Sequence, residues 1–246
     1  MKKEWSVIWL GTAVVGMWLA TLAGTAQAGD RKREEATAVT QSSSFLSGHP
    51  DLRWRTEGVK RYGEGDYANA LKSFKRAARH ADKPSAAMVA EMYWRGEGTE
   101  ADRPLGYAWM DLASERGYRD LLAKREAYWN ALNEDERQRA LAVGEAIYAE
   151  FGDSVAKPRI EAALRRARSK TTGSRTGFVG ALTLMISNGN GGFMEVDGSQ
   201  YYADKYWEPK EYFNWQEKVW ADLPKGTVNV GEVQSTTAAA ADDTRQ

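Results

Sequence analysis

The sequence predicts a mainly α protein, an α/α helical-hairpin solenoid of about three hairpins followed by a small α+β module. Three observations support this fold class. Apolar residues recur with a helical period from Leu52 to about Lys170. A pattern of tyrosine, Gly-Glu-Gly, aspartate and an apolar run occurs at 60–80 and again at 92–117. Beyond residue 170, β-branched residues, glycine and aromatic residues replace the helical period.

The first 28 residues have the pattern of a secretory signal peptide. Lys2 and Lys3 precede an uncharged stretch that closes on Ala26-Gln27-Ala28, a small-x-small cleavage site. We expect cleavage after Ala28 and a periplasmic or secreted protein. The alternative is an uncleaved N-terminal membrane anchor, since the stretch is nearly long enough to span a bilayer. In both cases the membrane is contacted only through this segment.

Two further segments are predicted to lack a fold of their own. Residues 29–50 combine mixed charge with a Ser/Thr-rich run, which indicates a flexible linker. Residues 234–246 are predicted to be a disordered tail. The chain has no cysteine, so the fold depends on packing and thiolate catalysis is excluded. Its 34 basic and 34 acidic residues argue against a nucleic-acid partner.

The repeated pattern predicts two helical hairpins within the range 51–170. Asp66 and Asp102 lie 36 residues apart, and each is suited to cap the helix that follows it. In the first helix an apolar face repeats at helical spacing: Tyr67, Ala70, Leu71, Phe74 and Ala78. Pro104 suits a first turn and Gly117 suits a helix end. Small alanines indicate close helix approach.

The stretch 90–118 resembles a Sel-one-like repeat, a relative of the tetratricopeptide repeat. The matching residues are Tyr93, Gly96, Gly98, Asp102, Trp109, Ala113 and Gly117. The stretch 58–78 is more similar to the plain tetratricopeptide form, whose period is ~34 residues. The resemblance departs from the family pattern at Gly106 and Ser114 and covers about a quarter of the chain. It implies an α/α superhelix that acts as a protein-binding scaffold, without chemistry. The candidate partner contacts are Trp94, Arg95, Glu97 and Tyr107.

A third layer is expected after the second hairpin, because each repeat buries its apolar face on a neighbour. Residues 119–152 are predicted to form a degenerate third hairpin, with Asn133 and Glu136 as a capping box. One more helix is expected at 154–170, with Pro158 at its start or at a kink.

The range 171–233 is predicted to be the small α+β module. A β-hairpin is expected at 177–197, a helix after Pro209, and a further strand at 227–233. Aromatic residues are dense in this module, and the candidate aromatic surface is Tyr206, Trp207 and Trp215. These side chains would either hold the module together or form a stacking surface for sugar rings or a peptide.

A basic run lies at the junction of the solenoid and the module. Arg165, Arg166, Arg168 and Arg175 would be either a solvated helix face or a patch for an anionic partner. The two Gly-Glu-Gly segments are interpreted as tight turns rather than phosphate loops, because each follows a helix and lacks a lysine in place. His49 and His80 are the chain's histidines, and neither has the partners of a catalytic or metal site.

These patterns favour an exported, non-enzymatic protein-binding scaffold of the bacterial envelope, without a cofactor. Its expected partner is another protein or a peptide. The alternative is a cell-wall or polysaccharide-associated protein, with peptidoglycan as a partner and weak hydrolysis at most, that uses the C-terminal aromatic residues. Exposed Trp207 and Trp215 would favour the alternative, whereas buried ones would indicate a structural role.

Overall fold

The structure, a computed structural model, describes residues 34–169, 182–187 and 192–221. Helix α1 covers residues 34–41. The helices that follow are α2 (Ser43–Gly48), α3 (Pro50–Gly63), α4 (Tyr67–Ala78), α5 (Lys83–Arg95), α6 (Arg103–Ala113), α7 (Arg119–Ala131), α8 (Glu134–Phe151) and α9 (Asp153–Ser169). The C-terminal part comprises β1 (Thr183–Ser187), β2 (Phe193–Asp197), α10 (Gly198–Tyr201), α11 (Asp204–Trp207) and α12 (Pro209–Ala221).

Helices α3 to α6 form two consecutive α-hairpins that pack in layers, which confirms the predicted fold class. Helix α4 packs on both α3 and α5, and α6 packs on both α5 and α8. The first core lies between these helices: Ala70, Leu71, Phe74, Ala78, Ala86, Val89, Ala90, Met92, Ala108, Trp109, Met110, Leu112, Ala113, Tyr128 and Ile147. The alanines in this core let the helix axes approach closely, as the sequence predicts.

Three aspartates cap the helices of the stack. Asp66 accepts from the backbone N–H of Asn69, and Asp102 accepts from that of Leu105, as predicted. Asp82 caps α5 in the same way. Each carboxylate satisfies a donor that the first helical turn leaves unpaired.

The third layer differs from the predicted hairpin at 119–152. Two helices are present there, and the Asn133–Glu136 capping box forms as expected. However, α8 packs along α6 rather than along α7. Helix α7 instead lies against α5 and α6, through contacts of its aromatic side chains. Helix α9 begins at Asp153, so Pro158 lies inside it and does not mark its start.

The prediction of a flexible linker at 29–50 is wrong from residue 34 onward. Helices α1 and α2 occupy this segment, and Val39 and Phe45 are buried within it. The composition of the segment is polar, but its few apolar residues are all that two short helices need, since residues far along the chain supply the rest of the core.

The β-hairpin lies within the predicted range, as two antiparallel strands in which Met185 faces Glu195. One face of the hairpin joins a second core with the N-terminal helices: Val39, Phe45, Leu52, Ile186, Val196, Tyr201, Tyr206 and Trp207. The C-terminal module therefore shares its core with α1, α2 and α3. The predicted signal peptide, the strand at 227–233 and the tail lie outside the described residues.

Within the described ranges, no helix combines the length and the apolar character needed to cross a bilayer.

Candidate functional site

The candidate aromatic surface is wrong for Tyr206 and Trp207, because both side chains are buried. Trp207 is 4% exposed and its ring packs against Phe45 and His49. Its indole N–H donates to the carbonyl of Tyr201 at 2.6 Å. These rings are core residues of the module and present no stacking platform, so the polysaccharide alternative loses the surface on which it depended.

Trp215 is half-buried rather than free for a ligand. Its ring packs edge-on against Tyr206 at 5.0 Å between centroids and lies 5.7 Å from the ring of Tyr212. The aromatic density of this segment therefore serves packing, since each large ring removes a large apolar area from water.

His49 joins the N-terminal helices to the C-terminal ones. Its ring stacks on Phe45 at 3.8 Å, and its two nitrogens lie 2.8 Å from the carbonyls of Phe45 and Tyr206. Burial lowers the pKa of His49, and the two carbonyls act in the opposite direction. A neutral imidazole has one N–H and donates to only one of these carbonyls.

A second buried contact, between Asp51 and Tyr212, lies close to His49. The Tyr212 hydroxyl donates to Oδ2 of Asp51 and accepts from the Gln216 amide at 3.1 Å. Burial, followed by the charge of Asp82, raises the pKa of Asp51 to about 7. His49, Asp51, Tyr212 and Gln216 are named the polar clasp below.

A carboxyl group with a raised pKa is a frequent mark of a catalytic site. Here, however, Asp51 and Tyr212 are both buried, and the cavity beside them measures about 10 Å³. Such a volume holds about one water molecule. The polar clasp is closed to a substrate and acts as a structural joint.

Buried ion pairs fasten the second hairpin to α9. Lys83, at the start of α5, pairs with Glu115 and with Asp153 at 3.1 Å. Arg116 binds the same Asp153 carboxylate through two nitrogens, at 2.8 and 2.9 Å. Burial raises the pKa of Asp153, but the hydrogen bonds and charge of Arg116 outweigh it and hold that pKa well below its usual range. The charges are mutually compensated and therefore have a structural role.

Two of the four predicted partner contacts, Trp94 and Tyr107, are covered by α7. Trp94 stacks on Tyr128 at 3.8 Å with nearly parallel rings. Tyr107 packs against Trp129 at 4.9 Å. Both side chains are half-buried against α7, and their role as partner contacts stays a prediction.

Arg95 and Glu97 lie at the turn end of the stack, where the two repeated turns meet. Glu97 accepts from the Tyr62 hydroxyl at 2.7 Å and lies 3.8 Å from Arg95. The hydrogen bond to Glu97 raises the pKa of Tyr62. Gly98 has a positive φ of 73°, and a Cβ there would lie 2.4 Å from the backbone of Tyr67. The Gly-Glu-Gly segment is thus a tight turn pressed onto α4, as the sequence predicts.

The turn edge is the surface formed by Val59, Tyr62, Tyr67, Arg95 and Glu97. Val59 is 59% exposed and Tyr67 is 39% exposed, so this edge presents two large apolar side chains to solvent. Tyr62 lies one helical turn after Val59 and packs edge-on against Tyr67 at 5.0 Å. Arg95 and Glu97 are predicted from the sequence but Val59 is not, although a valine among charged sequence neighbours in α3 is a visible signal.

The predicted anion patch is divided by its ion pairs. Arg165 pairs with Glu161 at 3.4 Å, and Arg168 pairs with Asp204 and Glu208. Arg166 makes no ion pair with any described residue, and Arg175 lies outside the described residues. The three described arginines therefore do not form one unpaired patch.

Among residues 34–169, 182–187 and 192–221, no group of three or more histidine, aspartate or glutamate side chains is placed to hold a metal ion.

No family model matches the chain, and no curated protein matches it. Among solved structures, the chain is similar to the crystal structure of a protective antigen of uropathogenic Escherichia coli strains that displays an SLR (Sel-one-like repeat) fold. The identity is 18% and the TM-score is 0.40, over 51% of this chain. The match covers 26% of the antigen's chain, so this chain spans about a quarter of that protein. This likeness identifies neither a family nor a partner.

Proposed function

We propose that the chain is an exported, non-enzymatic scaffold of the bacterial envelope that binds another protein or a peptide at the turn edge. The observation that carries this proposal is the exposure of Val59 and Tyr67 beside Arg95 on a rigid stack of hairpins. Tyrosine and arginine are enriched in protein interfaces, where they surround an apolar centre.

The architecture supports the same proposal. Stacked α-hairpins present extended surfaces whose side chains are held by the layers beneath them. Tyr62 is fixed by its bond to Glu97, so the surface is largely formed before a partner arrives. A preformed surface loses less side-chain entropy on binding.

A binding role also fits what the buried polar groups do. The polar clasp and the ion pairs around Asp153 join elements of the fold, and the cavity at Asp51 is too small for a substrate. Export rests on the pattern of residues 1–28, with Ala28 as the cleavage site.

A cross-linking experiment in cells tests the proposal. A photo-reactive amino acid is placed at position 59 of the full-length chain, which should be recovered from the periplasmic fraction with Gly29 as its first residue. We expect one protein to be cross-linked in a defined adduct. Val59→Asp should reduce capture of that protein by tenfold or more, because a charge replaces an apolar contact.

Leu141 is the matched control, since it is a 63% exposed apolar residue on α8, a helix that contributes no residue to the turn edge. Leu141→Asp should leave capture unchanged. Equal loss in the two variants, no adduct from position 59, or retention by peptidoglycan alone would contradict the proposal.

A further inference from the structure

A second surface feature is a cleft of about 470 Å³. It lies between α2, the end of α4, α9 and the C-terminal helices. Its lining includes Ser44, Pro50, His80, Arg166, Tyr202 and Trp207. This volume falls within the range of small-molecule sites, ~300–1,000 Å³. The cleft is separate from the turn edge.

The cleft has an uncompensated positive charge. Arg166 lines it without an ion pair to any described residue, whereas the neighbouring Arg165 and Arg168 are paired. Arg159 also makes no ion pair with any described residue, but it does not line the cleft, and Arg79 is paired with Glu150 at 3.0 Å. An anion in the cleft would therefore pair with Arg166.

The cleft also has polar groups without a charge. Ser44 and Tyr202 add hydroxyl groups to the lining.

We propose that this cleft binds a small molecule through a phosphate group held by Arg166, with the hydroxyl groups of Ser44 and Tyr202 as further partners. The guanidinium fork matches two phosphate oxygens, and a phosphate has a further oxygen for the other donors. Pro50 and Tyr202 provide a less polar wall for the remainder of the ligand. This site is independent of the proposed scaffold function and would bind whether or not the turn edge has a partner.

The phosphate could belong to a soluble metabolite or to a lipid headgroup, and the experiment separates these sources. The chain from residue 29 is titrated calorimetrically with inorganic phosphate, glucose 6-phosphate and glucose. It is also sedimented with phosphatidylcholine vesicles, with and without phosphatidic acid. Binding of glucose 6-phosphate but not glucose identifies a soluble source, and binding only to vesicles with phosphatidic acid identifies a lipid.

Arg166→Ala should weaken whichever binding is observed by about tenfold or more, since it removes the charged donors. Arg165→Ala is the matched control, because it removes the same charge from an adjacent position whose side chain is paired with Glu161 and does not line the cleft. Equal weakening in the two variants would show general charge attraction and overturn the proposal. So would the absence of binding to every phosphate probe at millimolar concentration.

Discussion

At the scale of single residues, the Asp51 carboxyl lies in an environment very different from water. It is buried and accepts a hydrogen bond from Tyr212 at Oδ2. Its pKa rises from the ordinary 3.8 to about 7. The folded chain keeps this proton to about pH 7, whereas the unfolded chain releases it near pH 4. The stabilisation from Asp51 is therefore full below about pH 4 and is lost as the pH rises to 7.

This shift gives a measurable pH dependence. As the pH rises from 5 to 8, the unchanged chain should lose free energy of unfolding because Asp51 gives up its proton. In Asp51→Asn this loss should be smaller by about 2 kcal/mol, since the variant has no proton to lose at this position. Chemical denaturation at the two pH values measures the difference. His49 has a lowered pKa, so its titration makes the free energy of unfolding rise with pH. It is present in both proteins, so the difference between them reports the contribution of Asp51 alone. Identical pH dependence in the two proteins would contradict this assignment.

Residues with local partners were predictable, and residues with distant partners were not. Asp66 and Asp102 cap helices that begin one residue later, so the reason for each aspartate lies within four residues. His49 contacts Tyr206, which is 157 positions away. Its position in a polar stretch therefore indicated a linker, although the fold buries it.

At the scale of elements, the contact between α3 and α4 depends on Gly58. A Cβ at this position would lie 2.6 Å from the ring of Phe74, which is fully buried. Gly58→Ala gains up to about 1 kcal/mol of helix propensity. It also forces the two helices apart or moves the ring, which costs about 1–3 kcal/mol. We expect a net loss of about 1 kcal/mol in the free energy of unfolding.

Gly144 in α8 is the matched control for this prediction. A Cβ there would meet no atom within 4 Å. Gly144→Ala should therefore raise the free energy of unfolding by about 0.5–1 kcal/mol. Thermal unfolding followed by circular dichroism compares the two variants. A gain of stability in both would show that α3 and α4 are not in close contact at Gly58.

Periodicity predicted the helices of the stack but not how the last of them are arranged. The apolar face from Tyr67 to Ala78 indicated α4 correctly. The same method found the helices at 119–152 but did not indicate that α8 packs on α6 while α7 covers Trp94. The stacking of Trp94 on Tyr128 depends on the path of the chain between helices, which a period does not encode.

At the scale of the whole molecule, Phe45 holds the two ends of the described chain together. It is fully buried and contacts the rings of Tyr201, Tyr206 and Trp207. Phe45→Ala should lower the free energy of unfolding by about 3–5 kcal/mol, because it leaves a cavity among aromatic rings. Limited proteolysis should then cut the C-terminal helices while the stack from α3 to α6 stays protected.

Phe193 provides the control, since its side chain is 70% exposed on the outer face of β2. Phe193→Ala should change the free energy of unfolding by less than about 0.5 kcal/mol. If Phe45→Ala left the proteolysis pattern unchanged, the C-terminal module would be stable without the N-terminal helices.

Helices α1 and α2 share one core with the C-terminal module, and this arrangement affects how the chain folds while it is being synthesised. The layers from α3 to α6 are built from neighbours in sequence, so they can form early and fast. Helices α1 and α2 leave the ribosome before the other described elements, yet the rings that cover Phe45 of α2 are synthesised more than 150 residues later. Phe45 therefore lacks its covering rings on the nascent chain until Tyr201, Tyr206 and Trp207 have been synthesised, which makes it a side chain that a chaperone would need to shield.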